Sequence, residues 1–138
     1  GERAKALGAK RAIPLQVSAP FHCALMKPAE LRLAPELRSV AARDPRVPVV
    51  ANVDAQPKRT AQASIEALIQ QVASPVRWED VILRLASEGV TRYVEVGPGK
   101  ALSGMIKRIV SGATIYNVEG PDDLAQFEPE TFVDALLG

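Results

Sequence analysis

The sequence predicts an α/β fold, and three observations carry that expectation. Short runs rich in Val, Ile and Tyr alternate with stretches whose apolar residues recur every three or four positions. Gly and Pro punctuate the junctions between them. Strands separated by helices need crossover connections, so their pairing is expected to be parallel. At 138 residues the chain is long enough for one domain. A chain of this size buries about two-thirds of its unfolded surface, enough for a real core.

The elements follow in order. Ala4, Ala6 and Leu7 run into Gly8 as the tail of a helix with a glycine cap. Arg11–Val17 is β-prone, and Pro14 marks it as an edge or irregular strand. From His22 onward Leu25, Met26, Ala29, Leu33, Leu37 and Val40 keep helical spacing, with Pro35 expected to kink or split the helix. Val47–Val53 is a largely apolar run between breakers and reads as a buried strand, followed by a polar loop over 54–60. Ile65, Leu68, Ile69 and Val72 share one helical face, and Ser74-Pro75 ends it. A further helix runs from Trp78 to Ala86 and stops at Gly89. Arg92–Val96 is a second strand, Gly97–Lys100 a turn, and about Ala101 to Val110 a helix. Thr114–Val118 is a third strand, and 121–137 reads as one or two short helices.

Composition excludes several classes of function. At 47% hydrophobic and 24% charged, the chain belongs with globular proteins. A net charge of +1 leaves no field to gather nucleic acid. One Cys and one His allow no internal disulfide and no closed zinc site, so no metal is expected. No apolar run approaches the roughly 20 residues of a membrane span, and no secretory signal follows the charged start. The expectation is a soluble, cytoplasmic protein. The chain lacks an initiator Met and opens inside a helical pattern, so it reads as a portion of a longer one.

Few residues carry chemistry. The Gly97-Pro98-Gly99-Lys100 turn fails both phosphate fingerprints, because Leu102 stands where a third Gly is needed and Val94 and Ala101 break the P-loop spacing. A tight βα turn explains it, with a weaker anion site at the helix start as the alternative. His22 lies at a strand-to-helix junction, near the end of the sheet where open α/β folds bind ligands. It is either a structural residue or a proton carrier suited to neutral pH. No serine lies in Gly-x-Ser-x-Gly, and Cys23 reads as a small buried residue. If His22 is a base, its nucleophile is outside this chain.

Four blocks change the reading. Val17-Ser18-Ala19-Pro20-Phe21-His22-Cys23-Ala24-Leu25-Met26-Lys27-Pro28-Ala29 resembles the histidine motif of malonyl-CoA:acyl-carrier-protein transacylases. Residues 48–54, Gln70-Gln71-Val72-Ala73-Ser74-Pro75-Val76-Arg77-Trp78 and Glu95–Gly104 resemble further blocks of that family, in the same order. The likeness reaches about Asn117, and the tail after Gly120 is not diagnostic.

The resemblance implies a two-step Ser–His acyl transfer from malonyl-CoA to the phosphopantetheine thiol of acyl carrier protein, in fatty acid biosynthesis. It implies His22 as general base and acid, and the main-chain carbonyl of Gln71 as acceptor of the His22 Nδ1–H. Phe21 either walls an acyl pocket or packs. Lys27, Arg77 and Lys100 either meet phosphates or an acidic carrier protein, or are solvated surface. No cofactor is implied beyond the substrate and the partner's phosphopantetheine, and the full-length enzyme is expected to be monomeric. The family's nucleophile motif and its malonyl-gripping arginine are missing from this sequence. The fold implied is the C-terminal part of an α/β-hydrolase-like acyltransferase core (18–138), with residues 1–17 as the end of a ferredoxin-like subdomain. An incomplete sheet should expose apolar edges, and the chain alone should be inactive. A polyketide synthase acyltransferase domain, or a non-catalytic fragment that docks acyl carrier protein, are the alternatives.

Overall fold

A computed structural model describes residues 1–13 and 17–126. Its elements are α1 (Glu2–Ala6), α2 (Lys27–Ser39), β1 (Val49–Val50), β2 (Pro57–Lys58), α3 (Ala61–Gln71), α4 (Trp78–Ser87), β3 (Arg92–Val96), α5 (Ala101–Ile109) and β4 (Thr114–Val118). Short 3₁₀ segments cover Ala24–Met26 and Pro121–Gln126.

The architecture is α/β, and the expected parallel pair is present. β3 and β4 run parallel in register from Arg92↔Thr114 to Val96↔Val118, with α5 as the crossover. The core lies where α4 and α5 meet this pair. Ile82 (1% exposed), Tyr93 and Ile106 form its centre. Trp78, Leu85, Val90, Ile109 and Ile115 pack around them. The helical spacing explains why: Val81, Ile82 and Leu85 fall on one face of α4, and burying such a face is what makes a short helix persist. Among the described residues β3 pairs only with β4, and Val96 is 77% exposed at its end.

Four expectations need correction. Arg11–Ile13 and Val17 are not in a strand, and Pro14, Leu15 and Gln16 lie outside the described residues, as do 127–138 of the expected C-terminal helices. The helix expected from His22 begins only at Lys27, because His22 takes a positive φ of 56° that no α-helix accommodates. Pro35 does not split α2, which runs on from Lys27 to Ser39. Pro35 and Leu31, whose carbonyl loses its helical donor, are both exposed, so water can satisfy the lost bond. The buried strand over 47–53 reduces to Val49 and Val50, paired antiparallel with Pro57 and Lys58 inside the stretch read as a loop. Val47 and Val49 are exposed, since β2 is the one neighbour of this short strand among the described residues.

α2 packs against α3. Buried Ala34 on α2 and Ala67 on α3 are small side chains that permit close approach, and Ile69 on α3 is buried as well. The start of α3 is doubly capped. Thr60 Oγ1 accepts from the Ala63 amide, and Asp44 Oδ1 accepts from the Ala61 amide at 2.7 Å. These contacts fix α3, whose far end forms part of the site.

Candidate functional site

The segment before α2 is a knot of local hydrogen bonds. The Phe21 amide donates to the Ala19 carbonyl, the Cys23 thiol donates to the Pro20 carbonyl at 3.1 Å, and the Met26 amide donates to the Cys23 carbonyl. This knot holds His22 in the left-handed region, a conformation costing on the order of 1 kcal/mol or more for a residue with a Cβ. The backbone outlier is the first sign that the position of this ring is specified by more than packing.

The second sign is the partner. His22 Nδ1 lies 3.1 Å from the main-chain oxygen of Gln71, across 49 residues of sequence. A carbonyl can only accept, so Nδ1 carries the proton and Nε2 of the neutral ring keeps a free lone pair. Gln71 is the last residue of α3, and the final carbonyls of a helix have no intrahelical donor. The bond therefore satisfies an acceptor the helix leaves open, and the Ser74 amide also approaches it at 3.4 Å. The Val72 amide turns back to the Ile69 carbonyl, which ends the helix before Ser74-Pro75. The ring itself is exposed and accessible from solvent, and Phe21 beside it is 55% exposed. A cavity of about 210 Å³ opens beside Gln71, lined by Val49, Val50, Ala51, Asn52, Lys58 and Leu68 among others.

The structure brings His22 and Gln71 together, leaves Phe21 exposed beside them, and engages Cys23, Lys27, Arg77 and Lys100 elsewhere. Cys23 is partly buried and bonded to Pro20, as a small packing residue would be. Lys27 pairs with Glu30, Arg77 with Asp80 at 2.7 Å, and Lys100 approaches Glu119 at 3.7 Å. Each cation thus already faces a carboxylate of this chain.

The Gly97–Lys100 turn is explained by a group that sequence reasoning missed. Gly97 and Gly99 take φ of 132° and 89°, which a side chain would strain. Glu95, at the end of β3, accepts from the Leu102 amide at 3.1 Å, the Ser103 amide at 2.7 Å and the Ser103 hydroxyl. Asn117, its register partner on β4, donates to the same carboxylate at 3.2 Å and to Ser103 Oγ at 2.7 Å. The Ser103 hydroxyl bond, with the two amides and Asn117 behind it, holds the Glu95 carboxyl below its usual range. The Gly99 amide donates to Glu119 at 3.2 Å. The Gly99, Leu102 and Ser103 amides, donors that an external phosphate would use at the start of α5, are already held by internal carboxylates, which argues against the anion-site alternative. The only signal in the sequence was a lone Glu ending an apolar strand seven residues before a helical amide.

Among the described residues no group of three or more His, Cys, Asp or Glu side chains could hold a metal ion. None of the described helices is long and apolar enough to cross a membrane.

No protein-family model matches the chain. Curated proteins do. The malonyl CoA-acyl carrier protein transacylase of Escherichia coli strain K12 is 46% identical over 125 residues, covering 91% of this chain. That of Bacillus subtilis strain 168 is 48% identical over 124 residues, covering 89%. The acyl-carrier-protein S-malonyltransferase of Burkholderia pseudomallei superposes with a TM-score of 0.83 at 44% identity, over 91% of this chain and 41% of that one. The chain is homologous to part of the malonyl CoA-acyl carrier protein transacylases. It spans about two fifths of the length of these transacylases, 40% of the E. coli protein and 39% of the B. subtilis protein. A transacylase solved in complex with a type II PKS acyl carrier protein superposes equally well, with a TM-score of 0.83 at 42% identity, over 91% of this chain and 40% of that one.

Proposed function

We propose that the full-length transacylase of which this chain represents a part transfers malonyl from malonyl-CoA to the phosphopantetheine thiol of acyl carrier protein, in fatty acid biosynthesis. The observation that carries this reading is the 3.1 Å contact of His22 Nδ1 with the Gln71 carbonyl, which leaves Nε2 as an open base on an accessible ring. A serine outside this chain is the nucleophile. Its hydroxyl proton passes to Nε2 as its oxygen attacks the malonyl thioester; the C–S bond then breaks, and the same proton goes to the departing coenzyme A sulfur. In the return half the carrier thiol gives its proton to Nε2 and attacks the malonyl-serine ester, and the serine oxygen leaves with that proton. Ester and thioester exchange in both halves, so no cofactor or metal is required.

Gln71 acts through its backbone, doing for the ring what a carboxylate does in a serine-protease triad. The end of a helix also carries partial negative charge, which suits a ring that becomes cationic while it holds the proton. Phe21, exposed beside His22, is the wall of the acyl site. In this reading residues 18–138 are the C-terminal part of an α/β-hydrolase-like core, and residues 1–17 close a ferredoxin-like subdomain. The enzyme is a cytoplasmic monomer. The relative solved with a polyketide-type carrier supports a second acceptor class, and malonylation rates with both carrier types distinguish the two.

Two measurements test the proposal. The 138-residue chain incubated with malonyl-CoA should show no malonyl adduct by intact mass, and a stoichiometric adduct would overturn the assignment of the nucleophile. In the full-length protein His22→Ala should lower turnover by about 10²–10⁴-fold, as expected for a lost general base. Turnover left intact would remove His22 from the mechanism.

A further inference from the structure

α3 is tied to the chain segment around His22 at three levels. At its first residue, Asp44 Oδ1 accepts from the Ala61 amide at 2.7 Å. At mid-helix, Arg38 Nε and Nη2 donate to the two Glu66 oxygens, each at 2.8 Å. At its last residue, the Gln71 carbonyl meets the His22 ring. Positions 61, 66 and 71 are evenly spaced, about 7.5 Å apart along a helix rising 1.5 Å per residue. Their partners, 44, 38 and 22, run the other way along the chain. The ties therefore fix both the height and the rotation of α3 against the stretch from His22 to Asp44 that contains α2.

We propose that the Arg38–Glu66 pair is a positioning pair for His22: by locking α2 to α3 at mid-helix it sets where the Gln71 carbonyl stands relative to Nδ1. This rests on the reading of His22 as the proton carrier. The geometry is what separates this pair from an ordinary surface contact. A planar guanidinium meeting both oxygens of a carboxylate resists sliding and twisting, whereas a lysine supplies charge without the fork. Hydrogen bonding from Arg38 holds the Glu66 carboxyl ionised below its usual range, so the lock is set throughout neutral pH. Both side chains are substantially exposed, so the pair contributes little to overall stability. Its effect is expressed at the end of the helix, where hydrogen bonding weakens steeply with angle and distance.

His22 is the single histidine of the sequence, so imidazole nitrogen NMR of the 138-residue chain reads this ring alone. At a pH where the ring is neutral, the Nδ1–H tautomer should dominate. Arg38→Ala should raise the Nε2–H to Nδ1–H ratio by roughly two- to fivefold, the span expected for losing one well-formed exposed pair. Arg38→Lys should fall between, and Arg38→Glu combined with Glu66→Arg should restore the original ratio. Fluorescence of the single tryptophan, Trp78, in the same samples reports that the fold is kept. A ratio unmoved by Arg38→Ala overturns the proposal, as does a ratio that the reversed pair fails to restore. A wild-type ring with the tautomer mixture of free imidazole does the same. None of these readouts involves malonyl transfer, so they fail independently of the His22→Ala turnover test.

Discussion

Ile82→Ala probes the centre of the fold directly. Ile82 is 1% exposed and lies against Tyr93 and Ile106, the residues that join α4 to β3 and α5. Truncation to Ala removes three buried carbons, worth about 2.4 kcal/mol at ~0.8 kcal/mol each. Incomplete collapse of the space adds a cavity contribution, placing the total at about 3–4 kcal/mol within the range for such truncations. With a urea m-value of about 2 kcal/mol/M, the unfolding midpoint should fall by roughly 1.5–2 M. Trp78 packs against the same cluster and is the single tryptophan, so its emission follows the transition without a label. The m-value should stay the same, and Ile82→Val should lose about 1 kcal/mol. A loss below about 1 kcal/mol for the alanine variant, at an unchanged m-value, would show that this cluster is not the core.

Three further outcomes follow from the site and its supports. Gln71→Ala should leave turnover of the full-length protein within about twofold, because the carbonyl and not the side chain meets His22; a tenfold loss would assign the side chain a role. Glu95 is held below its usual carboxyl range, so its contribution is present above the unfolded value near about pH 4.3 and lost as pH falls through the folded value. The stability gap between wild type and Glu95→Gln, measured by urea titration from neutral to acid, should therefore shrink below about pH 4, and a gap that widens in acid would refute this. Gly99→Ala, at φ 89° with open space around the added methyl, should destabilise by about 1–2 kcal/mol through backbone strain alone; a neutral thermal midpoint would contradict it.

Period and punctuation made the helices and the parallel pair legible. Ile65, Leu68, Ile69 and Val72 marked α3, and Tyr93 with Ile115 marked strands that meet in register. What could not be read locally was set by distant partners. Val47–Val53 has the composition of a buried strand, yet a strand is buried only by the neighbours it is given, and among the described residues those amount to Pro57 and Lys58. His22 has no periodic signal for its left-handed backbone, because that geometry is imposed by local bonds to the carbonyls of Ala19, Pro20 and Cys23, one of them from the Cys23 thiol. The Gln71 carbonyl is invisible to composition, since every residue has one; the motif resemblance, not the residue type, singled it out. Glu95 is illegible for the opposite reason: a lone acid beside a glycine turn looks like surface until two other elements, α5 and β4, converge on it.

β3 offers one row of main-chain donors and acceptors to β4 and leaves the opposite row unclaimed among the described residues, with Val94 and Val96 flanking it. Such a rim is a template for any extended peptide that reaches it first. At high concentration the isolated polypeptide is therefore poised for strand-to-strand clumping, and a single lysine in place of Val96 should keep preparations dispersed without touching His22.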